Sequence, residues 1–322
     1  MTPFLWPRGR RRFGALTTGW SARPEQVEQA LREMFPSAQP VLVSSGRAGL
    51  AMALECAGLR RQDLVLVPPY ASHCVLEAVA RIATPAPQSA GGRSPAGLIY
   101  HQWGYVQPGR PQPGILIEDA CDSLCAPGAK LLPLGGRFEI WSLPKILGCF
   151  TGGVIWCGDT ADVERLRRAR ASRRSGAVAQ LALRAMGDHR PLPHAYWCGR
   201  EAAGGHLPGA GIAEVMSALR RWGETLDLRR RALALLGGFL PAWLPRPVDR
   251  LPCVLPLPVT AGLEERLRGL GLGIGVRHLE RIHADGRVEL IPVLPLPIHQ
   301  DVDGAALERI AGVLGKLGVQ SL

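Results

Sequence analysis

The chain has 322 residues, 47% of them hydrophobic, a composition that predicts a packed core and excludes a disordered protein. Its formal net charge of +11 favours an anionic partner, either a nucleic acid or a phosphorylated small molecule. The longest apolar run near the centre, Ile146 to Cys157, is too short to cross a bilayer and contains glycines. The N-terminal residues lack the apolar core of a signal peptide, so a cytoplasmic protein is expected.

The cysteines bear on the kind of site that the chain can form. Most of the eight lie in apolar segments, as expected for reduced cysteines in a protein core. Cys121 and Cys125 form the only close pair. Without a second pair or a suitably spaced histidine, no metal site is predicted.

A candidate phosphate-binding turn follows the first predicted strand. Residues 24–35 carry apolar side chains at helical spacing and are predicted to form a helix. An apolar strand begins at Pro40 and ends in a Ser-Ser-Gly turn before the next helix. Free N–H groups at a helix N-terminus, hydroxyl groups and a glycine favour phosphate binding, so Ser45, Gly46 and Arg47 are the candidate residues. The alternative is an ordinary strand-to-helix turn.

The next strand and helix indicate the class of fold. Residues 63–68 are predicted to form a buried strand, which leads into a turn and a helix. Alternating strands and helices predict a parallel α/β sheet, in which ligands bind at the carboxyl ends of the strands. Tyr70, Ser72 and His73 follow such an end. His73 could instead be a histidine at the edge of the core.

The central region contains the strongest pattern. Its predicted elements are a surface connection over 83–94, a strand over 96–101, a loop over 107–114, and strands over 115–119, 138–143 and 154–157. Asp119 ends one of these strands, and Lys145 follows the next. Pyridoxal phosphate (PLP) needs an amine that forms a Schiff base and an anion that keeps its pyridine nitrogen protonated. We therefore predict Lys145 as the Schiff-base lysine and Asp119 as the pyridinium partner, the alternative for Lys145 being a solvated turn lysine.

The C-terminal half predicts a second, smaller domain. Residues 162–179 form an arginine-rich predicted helix without interleaved aromatics, which argues against nucleic-acid binding. A Pro/Gly-rich loop over 185–210 and one long helix over 212–236 follow. From Pro241 onward, short strands and helices separated by prolines indicate a small α+β domain. The predicted domains are 1–236, which includes an N-terminal arm, and 237–322.

In combination, these segments resemble the DegT/StrS-type sugar-nucleotide aminotransferases. The likeness lies in the segments VSSGRAGLAMAL, DLVLVPPYASHCVLEAV, LIEDA, SLPKILGCFTGGVIW, GIAEVMSALRRWGETLDLRRR, GIGVRHLERIH and VLPLPIHQDVDGAALERIAGVL. They occur in the family's order and cover most of the chain from about residue 24. The resemblance implies the PLP-dependent transferase fold (fold type I, α/β), with a mainly parallel central sheet and a small α+β C-terminal domain.

The resemblance also implies an activity and a set of site residues. The expected reaction moves an amino group from an amino acid, commonly glutamate, to a keto-sugar attached to a nucleoside diphosphate, in a homodimer. The residues expected to contact the cofactor, besides Lys145 and Asp119, are Ser45, Gly46, Arg47, Tyr70, His73, Asp122 and Ser142. The residues expected to contact the substrate are Arg277, His278 and His283.

The chain departs from the family pattern at four places. Ser72 stands where an aromatic usually covers the cofactor, so Tyr70 or His73 would serve. Asp122 stands three residues after the pyridinium aspartate, where Gln or His is usual. Ser142 lies three residues before the lysine rather than five. Residues 209–211 read Gly-Ala-Gly in place of an Asn-x-Arg that reaches the partner subunit.

Two alternatives stay open. One is a different enzyme on the same fold, such as a PLP-dependent sugar dehydratase or deoxygenase, but that branch typically has histidine in place of the lysine, so Lys145 argues against it. The other is a relative without the cofactor, which binds a nucleotide sugar or a protein partner and transfers no amino group.

Overall fold

A seven-stranded sheet forms the centre of the protein. The computed structural model describes residues 5–7, 22–88, 94–107, 114–174, 182, 201–283 and 287–316. The strands up to residue 157 are β1 (Gln39–Val43), β2 (Leu64–Val67), β3 (Thr84–Pro87), β4 (Ala96–Tyr100), β5 (Ile115–Asp119), β6 (Leu124–Cys125), β7 (Phe138–Ser142) and β8 (Gly153–Cys157). The sheet order is β1-β8-β7-β5-β4-β2-β3. Strands β3, β2, β4, β5 and β7 are parallel, and β8 runs antiparallel to both of its neighbours.

Apolar side chains on both faces explain why the sheet is buried between helices. Successive side chains of a strand point to opposite faces. In β1, Leu42 therefore packs in one core while Val41 and Val43 pack in another, and in β7 Trp141 and Ile140 divide in the same way. Such continuous apolar strands are typical of parallel sheets covered on both sides.

Helices connect the strands and cover the two faces. The helices of the described residues are α1 (Pro24–Met34), α2 (Gly46–Cys56), α3 (His73–Ala80), α4 (Leu143–Leu147), α5 (Thr160–Ser172), α6 (Gly209–Leu219), α7 (Trp222–Leu236), α8 (Leu263–Gly269) and α9 (Gly304–Lys316). The predicted α/β class with a mainly parallel central sheet is confirmed. None of the helices in the described ranges is long and apolar enough to cross a membrane.

The C-terminal residues form a sheet of their own. Strands β10 (Val254–Pro258), β12 (Val288–Pro297) and β11 (Arg277–Ile282) are antiparallel and lie in that order. A short strand β9 (Arg250–Leu251) pairs with β6. A third apolar core lies around this sheet and includes residues of α7, α8 and α9.

The prediction of a surface connection over residues 83–94 is wrong in part. Thr84–Pro87 forms the edge strand β3, which pairs in parallel with β2. Its two prolines suggested a loop, but proline is tolerated in an edge strand because one side of that strand has no partner. Residues 89–93 lie outside the described residues.

The predicted single helix over 212–236 is two helices. Arg221 leaves the helical conformation (φ −108°, ψ 19°) between α6 and α7. The break turns Trp222 into the core, where its indole N–H donates to the carbonyl oxygen of Cys125 at 2.9 Å. Gly223 lies two residues after Arg221, but it is the second residue of α7 and not the residue at the break.

The arginine-rich helix also differs from its predicted bounds of 162–179. It ends at Ser172, because Arg173 adopts an extended conformation (φ −93°, ψ 155°). Residues 175–181 lie outside the described residues, as do most of the predicted loops over 107–114 and 185–210.

Candidate active site

The carboxyl ends of β5 and β7 bring an acid and a lysine to one edge of the sheet. Asp119 is the last residue of β5, and its partner on the parallel strand β7 is Ile140. The one-turn helix α4 begins directly after β7 and carries Lys145. Parallel neighbours end at the same edge, so the two side chains lie in one site.

Lys145 forms an ion pair with Asp122, with 3.1 Å between Nζ and Oδ1. The carboxylate of Asp122 is fully buried, whereas 32% of the Lys145 side chain is exposed. Burial lowers the pKa of Lys145, but the surrounding acidic groups, Asp122 foremost, raise it above its ordinary value. The amine is therefore held as an ammonium ion in this arrangement. Asp122 neither points away from the site nor stands without a cation, since Lys145 is its counter-ion.

Asp119 is a buried carboxylate without a directly paired cation among the described residues. It accepts a hydrogen bond from the backbone N–H of Cys121 at 3.1 Å. Burial raises the pKa of Asp119, and the nearby charge of Lys145 only partly opposes this shift. Burial disfavours the ionised form of this carboxylate. A cationic N–H group placed against it would stabilise that form as an ion pair.

Helix α2 begins close to Cys121 and Ser142, near the ends of β5 and β7. The hydroxyl of Ser45 accepts a hydrogen bond from the backbone N–H of Ala48 at 3.1 Å and caps the helix. A Cβ atom at Gly46 would lie 3.1 Å from Sγ of Cys121 and 3.4 Å from Cβ of Ser142. The helix N-terminus, with its free N–H groups, thus adjoins Cys121, which follows β5, and Ser142, which ends β7.

The double glycine at the start of β8, Gly152 and Gly153, packs directly against this turn. Gly152 has a φ of +110° and forms an isolated parallel bridge with Ser45. A Cβ atom at Gly153 would lie 2.5 Å from the carbonyl carbon of Ser45 and 2.6 Å from the nitrogen of Gly46. Only glycine fits at this position without displacing the turn.

Arg47 and Cys74 add charge to the same region. Arg47 forms an ion pair with the buried carboxylate of Glu201. Sγ of Cys74 lies 2.9 Å from the Ser72 hydroxyl. Burial raises the pKa of Cys74, but Arg47 foremost, with Ser72 and Lys145, lowers it below the ordinary value. The thiol therefore lies within the electrostatic field of the candidate site.

Tyr70 contacts the C-terminal sheet rather than standing free. Its hydroxyl lies 2.9 Å from Nδ1 of His278, and the two rings stack with centroids 5.2 Å apart. Its backbone N–H donates to Oε1 of Glu280 at 3.2 Å. Gln102 makes two further contacts with β11, from Nε2 to the His278 carbonyl oxygen at 2.8 Å and from Oε1 to the Glu280 N–H at 3.1 Å.

The remaining predicted residues divide between two places. His73 is the exposed first residue of α3, next to Cys74. Arg277 is exposed at the start of β11, beside His278. His283 follows the other end of β11, where it lies 2.9 Å from Glu289. The strand therefore separates His283 from His278.

The sequence did not reveal three residues that lie near the lysine or its helix. Cys74 and Trp6 lie far from Lys145 in the chain, and the Trp6 indole donates to Asp122 at 2.8 Å. Arg229 is fully buried and donates to the carbonyl oxygen of Ile146 at 2.8 Å. For Arg229 a signal existed, because it continues the helical spacing of Trp222 and Leu226 on the buried face of α7.

This set of groups fits PLP. The site offers an amine for the carbonyl group, a buried carboxylate that lacks a paired cation, and a helix N-terminus with hydroxyl groups for a phosphate. No cluster of potential metal ligands occurs among the residues that the structure covers.

Comparison with known proteins identifies the family. Residues 27–236 match a family model described as "Putative PLP-dependent aminotransferase". A search of curated protein sequences finds no match. The fold is similar to that of a DegT DnrJ EryC1 StrS aminotransferase from Brucella abortus, at a TM-score of 0.66 and 16% identity over 95% of this chain and 94% of that chain.

Two further solved structures share the fold over their whole length. The aminotransferase TlmJ from Streptoalloteichus hindustanus has a TM-score of 0.66 at 20% identity, over 99% of both chains. The sugar aminotransferase CalS13 from Micromonospora echinospora has a TM-score of 0.68 at 19% identity, over 98% of this chain and 100% of that chain. These likenesses confirm the PLP-dependent transferase fold. The family model matches more than half of the residues of this chain. The chain therefore belongs to this family of PLP-dependent aminotransferases.

Proposed function

We propose that PLP is held by groups from three elements of the described site. Nζ of Lys145 would bind the cofactor carbonyl, and the carboxylate of Asp119 would face the pyridine nitrogen. The phosphate would be held at the start of α2 and α4, by Ser45, Gly46, Arg47 and Ser142. When bound, PLP withdraws electrons from the amino acid and makes its α-proton acidic.

Lys145 is the residue proposed to move protons. Released from the cofactor, its Nζ atom would act as general base and then as general acid for the 1,3-proton shift that transamination requires. Asp122 gives the protonated amine a fixed partner, because the hydroxyl of Tyr100 and the backbone N–H of Trp103 also donate to this carboxylate. The ion pair therefore returns Nζ to a defined position after each proton transfer.

Tyr70 and the start of β11 are proposed to form the substrate side of the site. Tyr70 would cover one face of the cofactor ring, with His73 as the alternative. We assign substrate contact to Arg277 and His278 and not to His283, because His283 pairs with Glu289 beyond the other end of the strand.

The proposed reaction transfers an amino group from glutamate to a keto-sugar linked to a nucleotide. The structure of a sugar aminotransferase shares the fold over its whole length, which supports a sugar acceptor. The net charge of +11 supports an anionic one. A homodimer, a boundary between domains 1–236 and 237–322, and a cytoplasmic location stay predictions.

The observation that supports this function most directly is the placement of Lys145, Asp119 and the start of α2 around one edge of the sheet. The test is addition of PLP to the purified chain, followed by borohydride reduction and peptide mapping. We expect a new visible absorbance band and a reduced label on Lys145. Lys145→Ala should lose both, whereas Lys130→Ala, a matched control at an exposed lysine, should keep both. A label elsewhere, or full turnover by Lys145→Ala, would disprove the assignment.

The substrates are tested in two half-reactions. Amino acids are added singly to the PLP-loaded protein, and loss of the visible band identifies the donor, with glutamate expected. Keto-sugars are then offered in free and nucleotide-linked form, and return of the band identifies the acceptor. Binding of a nucleotide sugar by a protein that takes up no PLP would instead support the relative without the cofactor.

A further inference from the structure

The N-terminal segment reaches the lysine of the candidate site. Leu5 and Trp6 pack against the core around the C-terminal sheet, and Pro7 is buried. From there the Trp6 indole N–H donates to Oδ1 of Asp122 at 2.8 Å, across 116 positions of sequence. A tryptophan from the start of the chain thus contacts the counter-ion of Lys145.

Asp122 is held by donors on both of its oxygens. Oδ1 contacts Trp6 Nε1 at 2.8 Å and Lys145 Nζ at 3.1 Å. Oδ2 accepts from the Tyr100 hydroxyl and from the Trp103 N–H at 3.3 Å. A carboxylate offers about four acceptor positions, so these four donors fill it. Because Asp122 cannot turn without losing partners, Lys145 has a fixed anchor.

The ring of Trp6 acts on the amine itself. Nζ of Lys145 lies 4.7 Å from the ring centroid, within the range of a cation–π interaction. This contact and the ion pair both favour the charged amine, whereas attack on a carbonyl group needs the neutral one. The ring also closes one side of an amine whose side chain keeps 32% exposure.

We propose that Trp6 is a positioning residue of the active site, which holds the charged amine of Lys145 against Asp122 and fixes the side from which a carbonyl compound reaches Nζ. This inference rests on the proposed function in one respect, the role of Lys145 as the cofactor-binding lysine. The contacts themselves require no cofactor, so they can be tested without one.

The test is competitive acetylation of the full chain by acetic anhydride, with each lysine followed by mass spectrometry. The chain has three lysines, so Lys130 and Lys316, both exposed, are references within the same molecule. The variants are Trp6→Leu, which removes the ring, and Trp6→Phe, which keeps a ring without the N–H donor. Trp243→Phe is the matched control, because its ring contacts Arg281 instead, at 5.3 Å.

We expect Trp6→Leu to raise the acetylation of Lys145 relative to Lys316 by at least about threefold, the scale of an exposed cation–π contact. Trp6→Phe should give a smaller rise, and Trp243→Phe none. An unchanged ratio in both Trp6 variants, or an equal rise in Trp243→Phe, would overturn the proposal. If Trp6→Leu does not fold, Trp6→Phe alone decides.

The PLP experiment separates this inference from the proposed function. A faster acetylation of Lys145 in Trp6→Leu, together with no PLP label on wild-type Lys145, would remove the cofactor assignment and keep the positioning contact. A PLP label on Lys145 with unchanged acetylation in both variants would keep the cofactor assignment and remove the positioning role of Trp6.

Discussion

The guanidinium group of Arg229 donates to the carbonyl oxygen of Ile146 at 2.8 Å and to that of Leu251 at 3.2 Å. It reaches the carbonyl oxygen of Lys145 at 3.4 Å. One buried cation on α7 thus binds the C-terminal end of the lysine helix and the strand β9. The last carbonyl groups of a helix lack hydrogen-bond donors within the helix, and Arg229 supplies donors to them.

Replacement of Arg229 by methionine should lower the free energy of unfolding. It should also lower the affinity for PLP, because Arg229 holds the end of the lysine helix. Methionine fills much of the volume but removes the donors from Arg229 to the carbonyl oxygens of Leu251 and Ile146, of which Ile146 keeps Nε2 of Gln300 at 3.2 Å. This loss costs about 1–3 kcal/mol in the free energy of unfolding. Urea denaturation measures this loss. Arg230→Met is the matched control on the same helix, since Arg230 is exposed in a surface pair with Asp227, and it should change stability by less than about 0.5 kcal/mol. Equal losses in the two variants would contradict the role of Arg229.

Gly153 provides a test of the phosphate turn. A Cβ atom there would lie 2.5 Å from Ser45, so Gly153→Ala should displace the turn from its place beside Ser142. We expect the Kd for PLP, measured by absorbance titration, to rise at least about tenfold, which corresponds to about 1.4 kcal/mol. Gly158→Ala is the control, because a Cβ atom at Gly158 meets nothing within 4 Å. A Gly153→Ala protein with wild-type affinity would show that this turn does not hold the cofactor.

Cys74 should be the first of the described cysteines to react with iodoacetamide. Arg47 lowers the pKa of its thiol despite burial, so at a given neutral pH a larger fraction is thiolate than for an ordinary cysteine. Burial raises the pKa of Cys121, Cys125 and Cys253, which should react slowly. Mass spectrometry after brief alkylation identifies the site. In Cys74→Ser, the rapid phase should disappear, and its persistence would refute the prediction.

Bound PLP should also slow the alkylation of Cys74, because the proposed phosphate-binding residue Arg47 lies beside this thiol. Inorganic phosphate at the same concentration is the control for general ionic effects. A rate that PLP leaves unchanged would place Cys74 outside the cofactor site.

The lowered pKa of Asp162 should make the stability of the protein depend on pH in acid. Hydrogen bonds from Arg137 foremost, and from Arg165, lower the pKa of Asp162 to about 2. Because the folded-state pKa lies below the unfolded one, the contribution is complete above about pH 5 and is lost as the pH falls from about 4 toward 2. Asp162→Asn should therefore lower the free energy of unfolding by about 1–2 kcal/mol at pH 7. The difference from wild type should shrink in acid, as measured by urea denaturation at several pH values.

The exposed Asp227, 3.6 Å from Arg230, is the control for Asp162. Asp227→Asn should leave the acid dependence of stability unchanged. A difference between wild type and Asp162→Asn that stays constant from pH 7 to pH 2 would contradict the assigned cause.

Local patterns predicted the sheet edge but not its neighbours. Asp119 ends one apolar strand and Lys145 follows another. The carboxyl ends of parallel strands lie at one edge of the sheet, so these two positions come together regardless of the conformation of the loops. The contact between Trp6 and Asp122 joins residues 116 positions apart, and no periodicity encodes it. Arg229 was hidden in a run of three arginines, although its spacing from Trp222 placed it on the buried face. The break at Arg221 is followed by the buried Trp222, and the nearby Gly223 lies inside α7, so neither predicted where the helix ends.

The edge strand β3 has a consequence for how copies of this protein can meet. Thr84 donates its backbone N–H to Asp63, so the alternating positions of Pro85 and Pro87 have their nitrogen atoms on the open side of the sheet. Proline carries no N–H group, so this side offers no donors at those two positions to an incoming strand. The sheet is thereby protected at this edge from growth into intermolecular β-structure.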